Sequence, residues 1–388
     1  MVKDFLPYGR QVIDDDDIEA VIAALKSDFL TTGPIVSQFE EALAMRVQAS
    51  EAVVCSSGTA ALHLALLALG IGEGDKVIVP AMTFVATANM VRACGGDVVF
   101  ADANPVTGLM ECLHLTDALQ RAGDGVKAVM PVLMNGNAGN LSAIMDLCEE
   151  WGIPVIVDAA HAIGSEFYDA TDLKAVGCDR AGGLTCFSFH PVKTIAMGEG
   201  GAITTSDTVL ADRMRSLRHH GLVRDSDQFK GSRTQDYAAP WYHEFHELGY
   251  NYRASDIHCA LGLSQLKKLD QFIEKRNSLV AAYVELLAGH DDVTLVCNHS
   301  SGKPAWHLMA VHLMGNRSKK TLMEKLEDNG VGTQIHYIPI CDQPYYLELY
   351  GKQEMPGARA YYESVISLPL HGNMTRDDVK KVVSLISA

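Results

Sequence analysis

Basic residues are scarce in this chain. Across 388 residues, 32 lysines and arginines stand against 48 aspartates and glutamates, a net charge of −16. Nucleic acids and anionic membranes are gripped through a basic footprint, so broad electrostatic binding to either is disfavoured. Long apolar runs are missing too. Nothing approaches the roughly eighteen consecutive apolar residues of a membrane span, and the best stretch, residues 60–72, is short and contains His63. The opening Met1-Val2-Lys3-Asp4-Phe5-Leu6-Pro7 has no apolar signal core. The nine cysteines, Cys297 among them, are scattered, odd in number and free of CxxC pairs. They argue against a disulfide framework or a cysteine zinc site and for free thiols in a reducing, cytoplasmic setting.

What is present reads as a well-filled globular protein. Apolar residues make up 48% and charged residues 21%, ordinary values that exclude disorder and supply a sizeable core. The length corresponds to about two to three domains. Residues 14–28 read as a helix opened by Asp14-Asp15-Asp16-Asp17, with Ile18, Val21, Ile22 and Leu25 at helical spacing. Acids at a helix start complement its dipole, so the run reads as a capped, solvated helix start, and a compact acid run without spaced ligands makes a poor calcium loop. A second amphipathic helix carries Val36, Phe39, Leu43 and Val47. From residue 52 to about 205, short apolar runs such as 77–79, 98–100, 128–130 and 155–157 alternate with helix-like stretches. Strands are expected at 184–187 and 202–204 as well. This pattern predicts an α/β domain with a buried, parallel sheet, whose ligands bind beyond the carboxyl ends of the strands. Residues 223–246, with Ser232, Trp241, Tyr242 and Phe245, form a long excursion. One long helix is expected from about Ser255 into the 280s, followed by short strands and amphipathic helices.

Three clusters carry potential chemistry. Ser56-Ser57-Gly58-Thr59-Ala60 lies between the apolar Val53-Val54 and a helical run. Small residues at a strand-to-helix turn leave backbone N–H groups open for a phosphate, although an ordinary helix cap explains the cluster equally well. Asp158-Ala159-Ala160-His161-Ala162 follows the strand at 155–157. Asp158 there is either a partner for a ligand cation or the cap of a following helix. The third cluster is Ser188-Phe189-His190-Pro191-Val192-Lys193-Thr194, followed by Gly198-Glu199-Gly200-Gly201. A lone lysine is ordinarily a solvated surface charge, but one held on such a loop beside a sheet can be desolvated, which lowers its pKa and makes the amine nucleophilic. A phosphate cradle, a carboxylate and a loop lysine are the three partners that pyridoxal 5'-phosphate (PLP) requires.

With those motifs in hand, and with Thr83-Phe84-Val85-Ala86-Thr87-Ala88-Asn89 and Gly249-Tyr250-Asn251-Tyr252-Arg253 in the same order and spacing, the chain resembles the DegT/DnrJ/StrS family of PLP-dependent nucleotide-sugar aminotransferases. Within it the sequence is most similar to the 4-aminotransferases of the pseudaminic acid pathway, through Pro7-Tyr8-Gly9-Arg10-Gln11, Pro240-Trp241-Tyr242, His336-Tyr337-Ile338-Pro339 and Gln343-Pro344-Tyr345-Tyr346. The resemblance implies a fold type I PLP-dependent transferase of the aspartate aminotransferase kind. Its large α/β domain would span residues 1–250 around a mostly parallel sheet, and a smaller α+β domain residues 251–388. It implies a homodimer with shared active sites. The implied reaction moves an amino group from glutamate to UDP-2-acetamido-2,6-dideoxy-β-L-arabino-hexos-4-ulose, giving UDP-4-amino-4,6-dideoxy-N-acetyl-β-L-altrosamine.

Carried over position by position, the resemblance makes Lys193 the residue that bonds the cofactor and then shuttles protons. Asp158 pairs with the pyridine nitrogen, Phe84 stacks on the ring, and His161 lies near the phenolic oxygen. Gly58, Thr59 and Ser188 hold the phosphate together with Asn251 of the second subunit. Tyr8, Arg253, His336 and Tyr337 contact the sugar nucleotide. The chain departs from the family at Val132-Leu133-Met134-Asn135-Gly136-Asn137, where Leu133 replaces the histidine of a Val-His-X-X-Gly pattern, at Ile340-Cys341-Asp342, and at Phe29, where tryptophan is common. These departures bear on the substrate more than on the reaction. Other UDP-, dTDP- or GDP-linked 4-keto sugars are alternative substrates. A sugar dehydratase of the same fold is disfavoured, because such enzymes carry histidine in place of Lys193. A non-enzymatic PLP-binding protein is disfavoured too, because the transferase pattern occupies the chain. His219 and His220 read as ordinary residues near the pocket, with no metal role.

Overall fold

A computed structural model describes residues 5–180, 183–231, 239–296, 302–315 and 317–387. Cys297, Ser232 and the segment Met1 to Asp4 lie outside the described residues. Two helices, α1 (Asp15–Leu25) and α2 (Pro34–Val47), precede the strands. The central sheet contains β1 (Glu51–Cys55), β2 (Lys76–Pro80), β3 (Asp97–Ala101), β4 (Val126–Val129) and β5 (Val155–Asp158). A side hairpin of β6 (Glu166–Asp169) and β7 (Asp172–Ala175) follows, and then β8 (Gly183–Ser188) and β9 (Gly201–Thr205) complete the sheet. Its seven strands lie in the order β1-β9-β8-β5-β4-β2-β3. All run parallel except β9, which is antiparallel to both β1 and β8. The physical reason is the connection: residues 189–200 form a loop with no crossover helix, and a parallel return needs one.

The strands are buried on both faces, and alternation sends successive side chains to opposite cores. Val53, Val77, Val79 and Ile156 join one core with α3 (Gly58–Ala68), α4 (Val85–Ala93) and the later α7 (Thr208–Leu217). Val54, Ile78, Val155 and Val157 join the other with α2, α5 (Cys112–Ala122) and α6 (Leu141–Glu150). The 223–246 excursion begins with a small ribbon of β10 (Leu222–Val223) and β11 (Glu244–Phe245). Then come α8 (Asp256–Lys267) and α9 (Leu269–Leu287). A three-stranded antiparallel sheet of β12 (Val293–Leu295), β14 (Met309–Leu313) and β15 (Val365–Leu368) builds a third core with α9, α10 (Lys319–Asp328) and α13 (Arg376–Ser387). The short β13 (Gly302–Lys303) pairs with β6, and α11 (Pro344–Tyr350) and α12 (Pro356–Ser364) lead to β15. The eight described cysteines are free thiols, five of them buried.

Three expectations are corrected. The single long helix after Ser255 is two helices. The Lys268 N–H reaches back to Gln265 and Leu266, which closes α8 where α9 begins. The acid run does cap α1, with reciprocal bonds between Asp14 and Asp17. Asp17 is nevertheless not solvated: it is 1% exposed, lies 2.7 Å from the Lys268 ammonium and accepts from the Gln265 amide at 2.6 Å. Conversely, Ile18, Ile22 and Leu25 form the outward face of α1, because Asp17 and Ala24 take the inward one.

The Asp17–Lys268 pair joins α1 to the α8–α9 junction. Removing one partner leaves an uncompensated buried charge. Asp17→Ala is expected to cost about 3 kcal/mol of unfolding free energy, measured by chemical denaturation, whereas Asp16→Ala on the exposed side should be close to neutral.

Candidate active site

The carboxyl ends of β1, β5 and β8 meet on one edge of the sheet, and the predicted clusters follow directly from them. After β1 the chain turns through Ser56 and Ser57 into α3. Ser57 is the cap of that helix, its hydroxyl accepting from the Ala60 N–H at 3.1 Å. The cap and the cradle coexist. Ser57 serves Ala60, while the N–H groups of Gly58 and Thr59 open the helix without an intrahelical acceptor. Glycine is required at two positions here. A Cβ on Gly58 would fall 2.7 Å from the Ser188 Cβ, and one on Gly201 would fall 2.3 Å from the Ser57 carbonyl oxygen. The start of α3, the end of β8 and the start of β9 are therefore in backbone contact, with the Ser188 side chain against the helix start.

Asp158 ends β5 and is 5% exposed. Its two oxygens accept from the Thr87 hydroxyl at 2.7 Å and the Ala160 N–H at 3.1 Å, and the Thr83 hydroxyl lies 2.7 Å from that of Thr87. No helix follows Asp158; residues 159–165 are turns, which removes the helix-cap reading. Burial raises the Asp158 carboxyl above the ordinary carboxylate range, opposed by the bonds from Thr87 and Ala160 and by the charge of Lys193. Lys193 sits on the turn after β8, its N–H donating to the His190 carbonyl at 2.8 Å. Burial pushes its ammonium down to about 8, with Asp158 pulling the other way.

These groups line a cavity of about 500 Å³. Of the residues expected in the site, Gly58, Thr59, Phe84, Asp158, His161, Ser188, Lys193, Tyr8, His336 and Tyr337 line it. Phe84 caps α4 and is 52% exposed, a large apolar ring left open at the cavity. His161 accepts from the Asn135 N–H at its Nδ1 (3.3 Å), and its Nε2 lies 3.4 Å from the Tyr337 hydroxyl. His336 is buried with Nδ1 2.8 Å from the Ser367 hydroxyl, and its ring lies 5.7 Å from that of Tyr8. Burial, with Lys193 adding to it, pushes His336 down to about 3. Burial raises the Tyr337 phenol.

Asn251 and Arg253 are not brought into this cavity. Asn251 is exposed and bridges to His219, and Arg253 places Nη1 2.7 Å from the His219 Nδ1. His219 and His220 lie beside them, past the end of α7 and away from the cavity lining. Among the lining or supporting residues not singled out from sequence are Thr87, Leu133 as a wall residue, and His307. The signal for Thr87 was its place three residues after Phe84 in a quoted motif. His307 has no local motif and arrives from the segment before β14.

The donor set fits PLP. Paired helix-start N–H groups with a serine hydroxyl suit a phosphate, the buried carboxylate suits a protonated pyridine, and an amine of lowered pKa suits a covalent bond to a carbonyl. The comparisons agree. Residues 11–387 match the model of the DegT/DnrJ/EryC1/StrS aminotransferase family. The chain is 35% identical to the spore coat polysaccharide biosynthesis protein SpsC of Bacillus subtilis, over 98% of this chain and 96% of that one. Its fold matches PseC of Helicobacter pylori, an aminotransferase involved in the biosynthesis of pseudaminic acid, with a TM-score of 0.88 at 30% identity over 99% and 98% of the two chains. It also matches the PLP form of the putative sugar aminotransferase Spr1654 of Streptococcus pneumoniae, with a TM-score of 0.86 at 25% identity over 98% and 97%. The match over residues 11–387 and the 35% identity over nearly the whole chain show that this chain belongs to the DegT/DnrJ/EryC1/StrS aminotransferase family and is a PLP-dependent sugar aminotransferase.

Proposed function

We propose that the enzyme transfers an amino group from glutamate to the 4-keto carbon of a UDP-linked 4-keto-6-deoxy-N-acetylhexosamine, the β-L-arabino-hexos-4-ulose of the pseudaminic acid pathway. The observation that carries this reading is the placement of Tyr8, His336 and Tyr337 on the cavity that also holds Lys193, together with the likeness to PseC over nearly the whole chain. In this reading the bound cofactor supplies an electron sink for the carbon that loses its proton. Gly58, Thr59 and Ser188 hold the phosphate, Asp158 accepts the pyridine N–H, and Phe84 gives the ring a planar apolar face. His161 lies at the phenolic oxygen. The Lys193 amine removes the α-proton of glutamate in the first half-reaction and delivers a proton to C4 of the sugar in the second. A pKa of about 8 lets one amine act as both base and acid.

The working unit in this reading is a homodimer, and the enzyme acts in the cytoplasm. Asn251 and Arg253 serve the second subunit's cavity, since both are displaced from their own. The outward apolar face of α1 and the exposed Phe84 and Val85 are surface that a second copy would cover. Among the described residues no helix is long and apolar enough to cross a membrane.

Three outcomes are expected. Purified enzyme offered UDP-, dTDP- and GDP-linked 4-keto sugars with glutamate should aminate the UDP-linked N-acetyl sugar fastest, read by mass spectrometry. Preference for a dTDP or GDP substrate would overturn this substrate and leave the family membership intact. In the cofactor-free protein, burial disfavours the Lys193 ammonium, so the reactive free amine accumulates as pH rises through about 8. Acylation of the Lys193 peptide should follow that midpoint, about two pH units below exposed lysines. Finally, dimers mixed from inactive Lys193→Ala and Asn251→Ala chains should regain one intact site and measurable turnover; no recovery would place Asn251 in its own subunit's chemistry.

A further inference from the structure

Three histidines, His161, His307 and His336, crowd the cavity wall near Lys193. His336 is tied to Ser367. The other two are organised by Asn135, in the segment where the chain departs from its relatives. Asn135 is buried and holds a left-handed backbone (φ 63°), a conformation that asparagine tolerates better than most residues. Its N–H donates to the His161 Nδ1 at 3.3 Å, its carbonyl accepts from the His307 N–H at 3.4 Å, and its Oδ1 accepts from the Leu308 N–H at 2.6 Å. Next to it the Ser165 hydroxyl donates to the Gly136 carbonyl at 2.7 Å and accepts from the Ala305 N–H at 2.9 Å. The segment 305–308 is therefore laced to 135–136, and a Cβ on Gly136 would fall 2.2 Å from the Ala305 oxygen.

Two consequences follow for His161. Because Nδ1 accepts from a backbone N–H, the ring proton of the neutral imidazole resides on Nε2. That nitrogen is the one beside the Tyr337 hydroxyl. The His307 ring then lies against it, with centroids 4.3 Å apart at 41°. His307 itself is buried, and its Nδ1 has no hydrogen-bond partner among the described residues. An unsatisfied buried nitrogen costs stability, so packing alone favours an apolar side chain at this position. Burial, reinforced by the charge of Lys193, pushes both rings well below the ordinary histidine range.

We propose that Asn135 and His307 are positioning residues that hold His161 in a single tautomer and a single plane, with Nε2–H presented to the cavity. The catalytic consequence rests on the proposed place of His161 beside the phenolic oxygen of the cofactor; the tautomer itself does not. The test uses protein labelled with ¹⁵N in its histidines, with and without cofactor, the His161 signals being identified by their loss in His161→Gln. The wild type should show one fixed Nε2–H imidazole in both forms. His307→Leu fills the volume without a planar ring, and should move the His161 nitrogen shifts toward the average of two tautomers. It should also lower kcat on the order of tenfold, with the keto-sugar KM within about twofold. His307→Phe, which keeps a planar ring, should restore both readouts. Asn135→Gly keeps the left-handed backbone and its N–H but drops the Leu308 tether, and should move the shifts part of the way. Unchanged His161 shifts in His307→Leu, a Phe variant as impaired as Leu, or altered shifts with full turnover would each overturn the proposal. A failure of the UDP-sugar assignment would leave the nitrogen signature in the cofactor-free protein untouched.

Discussion

Backbone contact among the start of α3, the end of β8 and the start of β9 is the constraint on which the site depends. It exists because Gly58 and Gly201 carry no side chain: a single Cβ at either would force the backbones apart. That contact sets the two N–H groups at the helix start against Ser188. It also places them a few residues from the turn that carries Lys193. The antiparallel β9 belongs to the same arrangement. By returning through a loop rather than a crossover helix, it keeps the edge above β8 free of a covering element and lets the Lys193 loop lie at the cavity.

Burial is the second organising cause, and it acts on Asp158, Lys193 and three buried histidines in the same sense, against charge. It raises the Asp158 carboxyl, brings Lys193 down to about 8, and keeps His161, His307 and His336 neutral. It is opposed at Asp158 by the bonds from Thr87 and Ala160 and by the Lys193 charge, and at Lys193 by the Asp158 charge. A site with so few charges is poised by dehydration, and the chain's net charge of −16 has little bearing on it. Net charge does not exclude a phosphate ligand, because backbone dipoles at one helix start can receive it without a basic surface.

Much of this arrangement is legible along the chain because the cavity residues proposed to hold the cofactor lie in short local motifs. Ser57-Gly58-Thr59 lie just past a strand, Asp158 and Ser188 end theirs, and Lys193 lies on the turn after one. Short apolar runs such as Val53-Val54 and 155–157 locate those strands. The strands' direction was only partly legible, since an apolar run looks the same in a parallel strand and in the antiparallel β9. Helical spacing found α1 but could not say which side faces inward; the buried Asp17–Lys268 pair turned its isoleucines outward. The break between α8 and α9 left no glycine or proline to mark it.

The sequence by itself pointed to the chemistry, because its local motifs offer a small-residue helix start, a carboxylate and a loop amine, and those motifs in order carry the resemblance to an aminotransferase family. Only the tertiary structure decided which side chains share the cavity. Thr87 beneath Asp158, the Asn135–His307 lacing around His161, and the removal of Asn251 and Arg253 from their own cavity all depend on contacts between segments far apart in the chain. Such contacts are fixed by packing and backbone hydrogen bonding, and no local pattern encodes them.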